Sequence, residues 1–222
     1  IGINPFDFGW ELKSKEDFVT PEAVLVYSDS GLGKMSRIYH KIYRERLCRG
    51  KFRDAERPTI INNWDATVFD FDEEKILKIA KRGAEAGIEM FVLDDGWFGK
   101  RNDDHSSLGD WNVNLEKLPN GLSSLAGKIN DLGMKFGLWV EPEMVSPDSE
   151  LYRNHPDWCV HAKGRRRTEN RYQLALDISR SEVREYIINI LTEILKSANI
   201  EYIKWDCNRN ITETQNTEQR HR

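Results

Sequence analysis

The chain has 222 residues, of which 39% are hydrophobic and 32% charged, and its formal net charge is -4. These values are ordinary for a globular protein with one large or two small domains, and they give no reason to expect a nucleic-acid partner. No apolar run approaches the ~20 residues of a membrane helix, and the N-terminus lacks a signal-peptide pattern. Three widely spaced cysteines (Cys48, Cys159 and Cys207) do not form a disulfide framework, so we expect a cytoplasmic protein with no membrane partner.

The first part of the chain differs in pattern from the rest. Residues 1–30 look β-like, with a strand candidate at Val24–Tyr27, and we interpret them as the end of an N-terminal β-sandwich domain. Residues 31–58 are predicted to be a linker, with a helix from Met35 to Leu47 and a charged loop after it. An ordinary chain start would also fit this pattern.

From Thr59 to the end of the chain, strand patterns alternate with helix patterns, which predicts a parallel sheet covered by helices in a catalytic domain of residues 59–222. The predicted helices include one at Glu73–Glu85 that Gly87 ends, and one at Ser179–Ala198 with a cap at Ser179 or Ser181. Two further helices are predicted at Leu122–Leu132 and Pro147–Asn154. The five predicted strands are Ile60–Trp64, Met90–Leu93, Lys135–Val140, Gln173–Asp177 and the stretch that begins at Ile200.

The fold class predicted is α/β, an incomplete (β/α)8 TIM barrel with about its first five β/α units, because eight strands would complete a barrel. A Rossmann-like open sheet is the alternative, but the stretch after the first strand lacks a glycine-rich phosphate loop. Each predicted strand ends in polar residues, as the active-site end of a barrel does. In the last strand Lys204, Asp206 and Asn208 share one face.

An acid-rich strand end allows several readings. Asp94, Asp95, Glu141 and Asp206 could form a magnesium site, a glycosidase pair or the acceptors of a non-catalytic sugar-binding barrel. A structural ion pair around Lys204 is a further alternative. The histidines avoid the strand ends and Lys204 would compete with a cation, so we predict no metal and no cofactor. Tryptophans lie beside the acids, which favours a sugar.

Six motifs resemble those of family 36 α-galactosidases, in that family's order and at its spacing, over nearly the whole chain. They are Asn63-Trp64, Leu93 to Phe98, Gly137 to Met144, His155 to Trp158, Arg171 to Asp177 and Lys204 to Arg209. The resemblance implies a retaining enzyme that hydrolyses terminal α-galactosides such as melibiose or raffinose, as a homo-oligomer (a tetramer) at full length. A transglycosylating raffinose-synthase-like enzyme and an α-N-acetylgalactosaminidase remain alternatives.

The resemblance also assigns roles to individual residues. Asp206 matches the catalytic nucleophile, and Lys204 matches a lysine that binds galactose hydroxyls and should keep Asp206 ionised. Asp94 and Asp95 match ligands of the 4- and 6-hydroxyls, which both can reach only if their strand ends near Leu93. The remaining substrate-binding matches are the aromatic walls Trp64 and Trp139, with Arg171 and Asn208.

The sequence departs from this family in two ways. The family's acid/base aspartate lies well downstream of the nucleophile, beyond Arg222, and most of its N-terminal β-sandwich has no counterpart here. Ile1 is also not an initiator methionine. We therefore expect an internal fragment with the nucleophile half of the site, which is inactive on its own because no residue protonates the leaving group.

Overall fold

A computed structural model of the chain describes residues 3, 10–161 and 164–212. The chain divides into two compact units, with the division after Pro58. No helix in the described part of the chain is both long and apolar enough to cross a membrane.

In its described residues, the first unit contains one α-helix, α1, at Gly31–Ile42, which continues as a π-helical turn at Tyr43–Leu47. The helix predicted from Met35 to Leu47 is therefore present and starts four residues earlier. The strand predicted at Val24–Tyr27 is wrong, because this stretch has no strand partner among the described residues. Leu25 and Tyr27 are 77% and 85% exposed, so their β propensity has no sheet face to pack on. Most of the predicted sandwich remnant, residues 1–2 and 4–9, lies outside the described residues.

The second unit is built on a four-stranded parallel sheet with the order β1-β2-β3-β6. The alternation of strands and helices predicted this parallel arrangement correctly. The first three strands pair in chain order, and β6 then pairs with β3, which sets Trp139 opposite Lys204 and Val140 opposite Trp205. The strands are β1 Ile60–Asn62, β2 Met90–Leu93, β3 Lys135–Val140 and β6 Tyr202–Trp205.

The strand predicted at Gln173–Asp177 does not belong to this sheet, so the prediction of five parallel strands is wrong for the described residues. Only Leu174–Ala175 (β5) is a strand, and it pairs antiparallel with Met144–Val145 (β4) in a separate two-stranded ribbon. The ribbon packs under the long helix that follows it, with Leu174 beside Val183 in a small second core. An apolar run shows that a stretch is buried, but it does not show in which sheet.

The helices of the second unit follow the predicted pattern with some shifts at their ends. Asp72 caps Glu73–Glu85 through a hydrogen bond from Lys75 N, and Gly87 follows with φ +83°. The long helix begins at Ser181 after Arg180, so the predicted side-chain cap from Ser179 or Ser181 is wrong; the hydroxyl of Ser179 donates to Asp177 instead. The helices are α2 Trp64–Thr67, α3 Glu73–Glu85, α4 Gly121–Asp131, α5 Glu150–Asn154 and α6 Ser181–Ser197, with a 3-10 turn at Pro156–Trp158.

The main core lies between the sheet and helices α3 and α4. Phe91, Leu93, Phe136 and Leu138 of the central strands are fully buried and pack with Ile76, Ala80, Leu125 and Ile129 of the two helices. Because both neighbours of β3 are strands and its faces are covered, this strand reads as a continuous apolar run, as parallel strands do.

Gly137, in the middle of β3, sits where two neighbouring strands leave no room for a side chain. A methyl group there would lie 3.0 Å from Val92 Cγ2 and 3.1 Å from Tyr202 Cβ, whereas one on Gly127 in α4 would meet nothing within 4 Å. We expect Gly137→Ala to lower the free energy of unfolding by about 1–3 kcal/mol, and Gly127→Ala to raise it by about 0.5–1 kcal/mol. Urea unfolding of the two variants measures both values, and equal effects would contradict this account of the strand packing.

Candidate active site

The carboxyl ends of β2, β3 and β6 bring four acids to one edge of the parallel sheet. Asp94 and Asp95 follow β2 directly, Glu141 follows β3, and Asp206 follows β6. Val140 pairs with Trp205, so β3 and β6 end level with each other, and β2 ends two positions earlier because Leu93 pairs with Leu138. Two other acids predicted at strand ends lie elsewhere: Asp65 is exposed on α2, and Asp177 holds the turn before α6 by accepting from Ser179.

Asp206 is a half-buried carboxylate that accepts three hydrogen bonds from neutral donors. Its Oδ2 accepts from the indole Nε1 of Trp139 and the amide Nδ2 of Asn208, each at 2.9 Å, and its Oδ1 accepts from Cys207 N at 3.0 Å. Burial alone would raise the pKa of Asp206, but these three bonds and the charge of Lys204 outweigh it and hold the pKa below its ordinary value. The side chain is therefore ionised near neutral pH, as a nucleophile must be.

Asn208 links Asp206 to a second carboxylate that is fully buried. The same Nδ2 group that donates to Asp206 also donates to Glu141 Oε2 at 3.2 Å, and the backbone N–H of Asn208 donates to Glu141 Oε1. Gln173 Nε2 adds a bond to Glu141 Oε2 at 3.2 Å. Burial, which outweighs the two bonds from Asn208, raises the pKa of Glu141, and the charges of Asp206 and Asp95 act in the same direction.

Lys204 forms an ion pair with Asp94 and not with Asp206. Its Nζ lies 2.8 Å from Asp94 Oδ2, and the lysine side chain is 35% exposed whereas that of Asp94 is 3% exposed. The backbone N–H of Asp94 donates a hydrogen bond to Asn63 Oδ1 at 2.9 Å, which fixes the backbone that carries the Asp94 side chain. An ion pair at Lys204 is thus present, but its partner is Asp94 and not Asp206 of the same strand end. It leaves the ammonium group partly open to a ligand.

Asp95 points to a different partner, although it is the next residue. Arg101 Nε and Nη2 donate to its two oxygens at 2.8 and 2.9 Å, and both side chains are nearly inaccessible to solvent. Desolvation nevertheless raises the pKa of Asp95 above its ordinary value. Strand β2 ends at Leu93, which is the condition under which both Asp94 and Asp95 could reach a sugar. The two hydrogen bonds from Arg101, however, occupy one lone pair of each Asp95 oxygen.

The two predicted aromatic walls have different environments. Trp64 is half-buried on α2 and makes an edge contact with Phe69, so part of its ring remains accessible. Trp139 is only 2% exposed and lies parallel to Phe98 at a centroid distance of 6.1 Å. The structure therefore places Trp139 in the core, with its indole N–H directed at Asp206. Trp97 is also in the core and donates to Trp139 O.

Arg171 is exposed in a tight turn between Asn170 and Gln173, with φ +53°. No hydrogen bond between described residues joins it to Asp206, Asp94 or Lys204. A different arginine, Arg209, reaches this loop from the other side and donates to Thr168 O and Gln173 O. Arg209 therefore fixes the segment that brings Gln173 to Glu141.

Sequence reasoning missed Arg101 and Gln173, and it considered Glu141 as a metal ligand, a member of a glycosidase pair or a sugar acceptor, but not as a partner of Asn208. Both missed residues lie in loops, and no periodic pattern predicts where a loop side chain points. The position of Glu141 could have indicated a role beside Asp206, because it directly follows a buried strand whose last residue, Val140, pairs with Trp205. Among the described residues, no group of three or more histidine, cysteine or acidic side chains could hold a metal ion.

Comparison with known proteins places this geometry in a family. Residues 17–222 match the family model described as Melibiase. The chain belongs to the melibiase family.

Its relatives within this family are α-galactosidases. The chain is 63% identical to the α-galactosidase AgaA of Geobacillus stearothermophilus over 96% of its own length, which is 29% of that relative. It superposes with a TM-score of 0.95 on the crystal structure of the family 36 α-galactosidase AgaB of the same organism, at 63% identity, over 99% of this chain and 30% of that one. A crystal structure of a doubly substituted variant of AgaA in complex with raffinose also matches, with a TM-score of 0.95, 62% identity and the same coverage. This melibiase-family chain thus spans about a third of the relatives that it matches.

The indole donor of Trp139 is expected to contribute to the low pKa of Asp206. Trp139→Phe keeps an aromatic ring in the core but removes the N–H, so the pKa of Asp206 should rise. Carbon-13 NMR titration of the aspartate carboxyls measures this value. Trp111→Phe is the matched control, since Trp111 is a buried neighbour of Trp139 that makes no described hydrogen bond to Asp206. An unchanged pKa in Trp139→Phe would contradict the account.

Proposed function

We propose that this chain carries the nucleophile and part of the galactose site of a retaining α-galactosidase, which hydrolyses terminal non-reducing α-galactosyl residues. The observation that carries the proposal is Asp206, an accessible carboxylate at a strand end that three neutral donors keep ionised. Support comes from the relatives, which are α-galactosidases, one of them crystallised with raffinose.

The reaction follows from two displacements at the anomeric carbon. Asp206 attacks that carbon as the bond to the leaving oxygen breaks, and a galactosyl ester forms. Water then attacks the same carbon, the ester bond breaks, and galactose leaves with its original stereochemistry. Trp139 and Asn208 hold the Oδ2 atom of Asp206 in place, so the attacking oxygen is Oδ1, whose described bond comes only from the backbone of Cys207.

The sugar is bound beside the nucleophile by the residues that the family resemblance assigns. Lys204 and Asp94 offer a donor and an acceptor to adjacent hydroxyls, and Asp95 accepts through the lone pairs that Arg101 leaves open. Trp64 covers an apolar ring face with its accessible side. Asn208, Arg171 and Trp139 complete the proposed set, with Trp139 acting through its contact with Asp206 and the ring edge nearest the site.

None of the three other acids at this edge of the sheet is placed to be the acid/base catalyst. Glu141 is fully buried, Asp95 is clamped by Arg101, and Asp94 is paired with Lys204. A general acid must reach the leaving oxygen within hydrogen-bond distance, directly or through one water. The protonating group therefore comes from a part of the enzyme other than these residues.

The larger architecture belongs to the same proposal. The parallel sheet represents the first strands of a (β/α)8 barrel, with residues 1–30 as the end of a β-sandwich domain, and the full enzyme is a cytoplasmic homo-oligomer. The open edges of β1 and β6, where Ile60 and Trp205 are 41% and 49% exposed, are consistent with further strands on both sides.

Replacing the nucleophile tests the proposal directly. In the longest natural polypeptide that contains this chain, Asp206→Asn should reduce kcat on an aryl α-galactoside by about 10³-fold or more, because a neutral amide does not form the glycosyl ester. Asp65→Asn, at an exposed acid of α2, is the control and should stay within about twofold of the parent. Comparable losses in the two variants would refute the role of Asp206.

The 222-residue chain by itself is expected to turn over the same substrate slowly. Without an acid/base catalyst, the rate should fall by about 10²–10⁴-fold relative to the natural polypeptide. A fluoride leaving group needs little protonation, so α-galactosyl fluoride should be cleaved with a smaller deficit. Equal deficits on both substrates would show that the missing factor is something other than the acid.

Product analysis defines the reaction further. If free galactose is the only galactose-containing product when sucrose is present, the enzyme is a hydrolase. If galactose is transferred to sucrose to give a trisaccharide, the enzyme is a transglycosylase. If the enzyme releases the aglycone faster from aryl α-N-acetylgalactosaminides than from aryl α-galactosides, it is an α-N-acetylgalactosaminidase.

A further inference from the structure

We propose that Glu141 is a positioning residue, which orients the Asn208 carboxamide so that its nitrogen, and not its oxygen, faces Asp206. This inference rests on the proposed function, because it assigns the device that orients the proposed nucleophile. Glu141 has no exposed surface, so it acts only through its neighbours.

The first step concerns the ambiguity of an amide. Asn208 can present either Nδ2 or Oδ1 to Asp206 by a half-turn of its side chain, and only Nδ2 forms a hydrogen bond to a carboxylate. With Oδ1 in that place, two oxygens carrying negative charge would face each other near 3 Å. The orientation of Asn208 therefore decides whether Asp206 gains or loses a donor.

The second step shows that Glu141 settles this choice. Its Oε2 accepts from Asn208 Nδ2 and from Gln173 Nε2, and its Oε1 accepts from Asn208 N. An ionised carboxylate has only acceptors, so the amide nitrogen must point toward it. The two hydrogens of Nδ2 then go to two carboxylates, Glu141 and Asp206, from one fixed position.

The third step identifies what fixes Glu141 itself. It directly follows β3, which pairs with β6 up to Val140 and Trp205, so its backbone is held in register with the strand that carries Asp206. Gln173 is 1% exposed and its loop is tied down by Arg209. The contacts of Glu141 thus come from strand ends and an anchored loop, and its position is preorganised.

The substitution that tests this is Glu141→Gln. Whichever way the new amide turns, its NH2 group faces an existing donor, either Asn208 N or the pair formed by Asn208 Nδ2 and Gln173 Nε2. Facing Asn208 N, the new NH2 group pushes the backbone of Asn208 away, and facing Asn208 Nδ2, it makes the carboxamide turn. Either movement takes Nδ2 away from Asp206. The same substitution also deletes a negative charge near Asp206, so a single variant mixes two effects.

A double-mutant cycle separates the two effects. It uses the natural polypeptide that contains this chain, with Glu141→Gln, Asn208→Ala and the double variant, and the pKa of Asp206 from carbon-13 NMR is the first readout. Losing the charge lowers this pKa in either background, whereas losing the Asn208 bond raises it only when Asn208 is present. The change caused by Glu141→Gln should therefore be more upward in the Asn208 background. Equal changes in both backgrounds overturn the proposal.

Catalysis is the second readout. Glu141→Gln should lower kcat/KM on an aryl α-galactoside about 10- to 100-fold in the Asn208 background and less than about threefold in the Asn208→Ala background. Free galactose should still inhibit Glu141→Gln, which a general collapse of the site would not allow. Glu143→Gln is the matched control, two residues along the same segment, and should keep kcat/KM within about twofold.

Two further points keep the test decisive. If Glu141→Gln does not fold, Glu141→Asp retains the charge and withdraws the carboxylate, so the pKa of Asp206 should rise; an unchanged value overturns the proposal. If the parent polypeptide shows no galactosidase activity, the proposed function fails, while the NMR cycle still reports whether Glu141 orients Asn208. If the parent is active but the cycle is additive, only the present inference fails.

Discussion

The pairing of β3 with β6 is the constraint on which the site depends. It brings two stretches that are about 65 residues apart into fixed parallel register, so that Trp139 lies opposite Lys204 and Val140 opposite Trp205. The residues beyond these pairs, Glu141 on one strand and Asp206 on the other, then meet at the same edge of the sheet. A slip of one residue would turn Lys204 to the other face and remove the indole donor from Asp206.

Each acid at this edge accepts hydrogen bonds from identified donors, and the four acids differ in how far they are buried. Glu141, Asp94 and Asp95 are buried and bound, respectively, by Asn208 with Gln173, by Lys204 and by Arg101. Burying several carboxylates together is costly unless each is satisfied, which explains why two of them have raised pKa values although they are hydrogen-bonded. Asp206 differs because one side of it remains open, and its pKa is lowered.

Much of this fold could be predicted from periodicity, and the exceptions have a common cause. Helix Glu73–Glu85 and strands Met90–Leu93 and Lys135–Val140 have the predicted bounds, because local pattern and tertiary environment agree there. The stretch Gln173–Asp177 is as apolar as a central strand, yet it pairs with Met144–Val145 outside the sheet. Val24–Tyr27 has β propensity and no partner among the described residues. In both cases the sequence pattern reports a preference, whereas strand pairing depends on residues far away in the chain.

The site shows the same division between what strands and loops determine. Strand ends predicted that Asp94, Glu141, Lys204 and Asp206 would converge, since parallel strands present their carboxyl ends together. The partners of these acids were not predictable in this way, because Arg101 and Gln173 come from loops, and Trp139 serves as a buried donor rather than as an exposed wall. A strand thus determines the position of a carboxylate, whereas side chains from loops or from the core determine its pKa and its orientation. For Asp206, position and hydrogen bonding both involve Asn208, because Asn208 follows the same strand and donates its NH2 group both to Asp206 and to the fully buried Glu141. The chemistry of an accessible acid therefore depends on an inaccessible one.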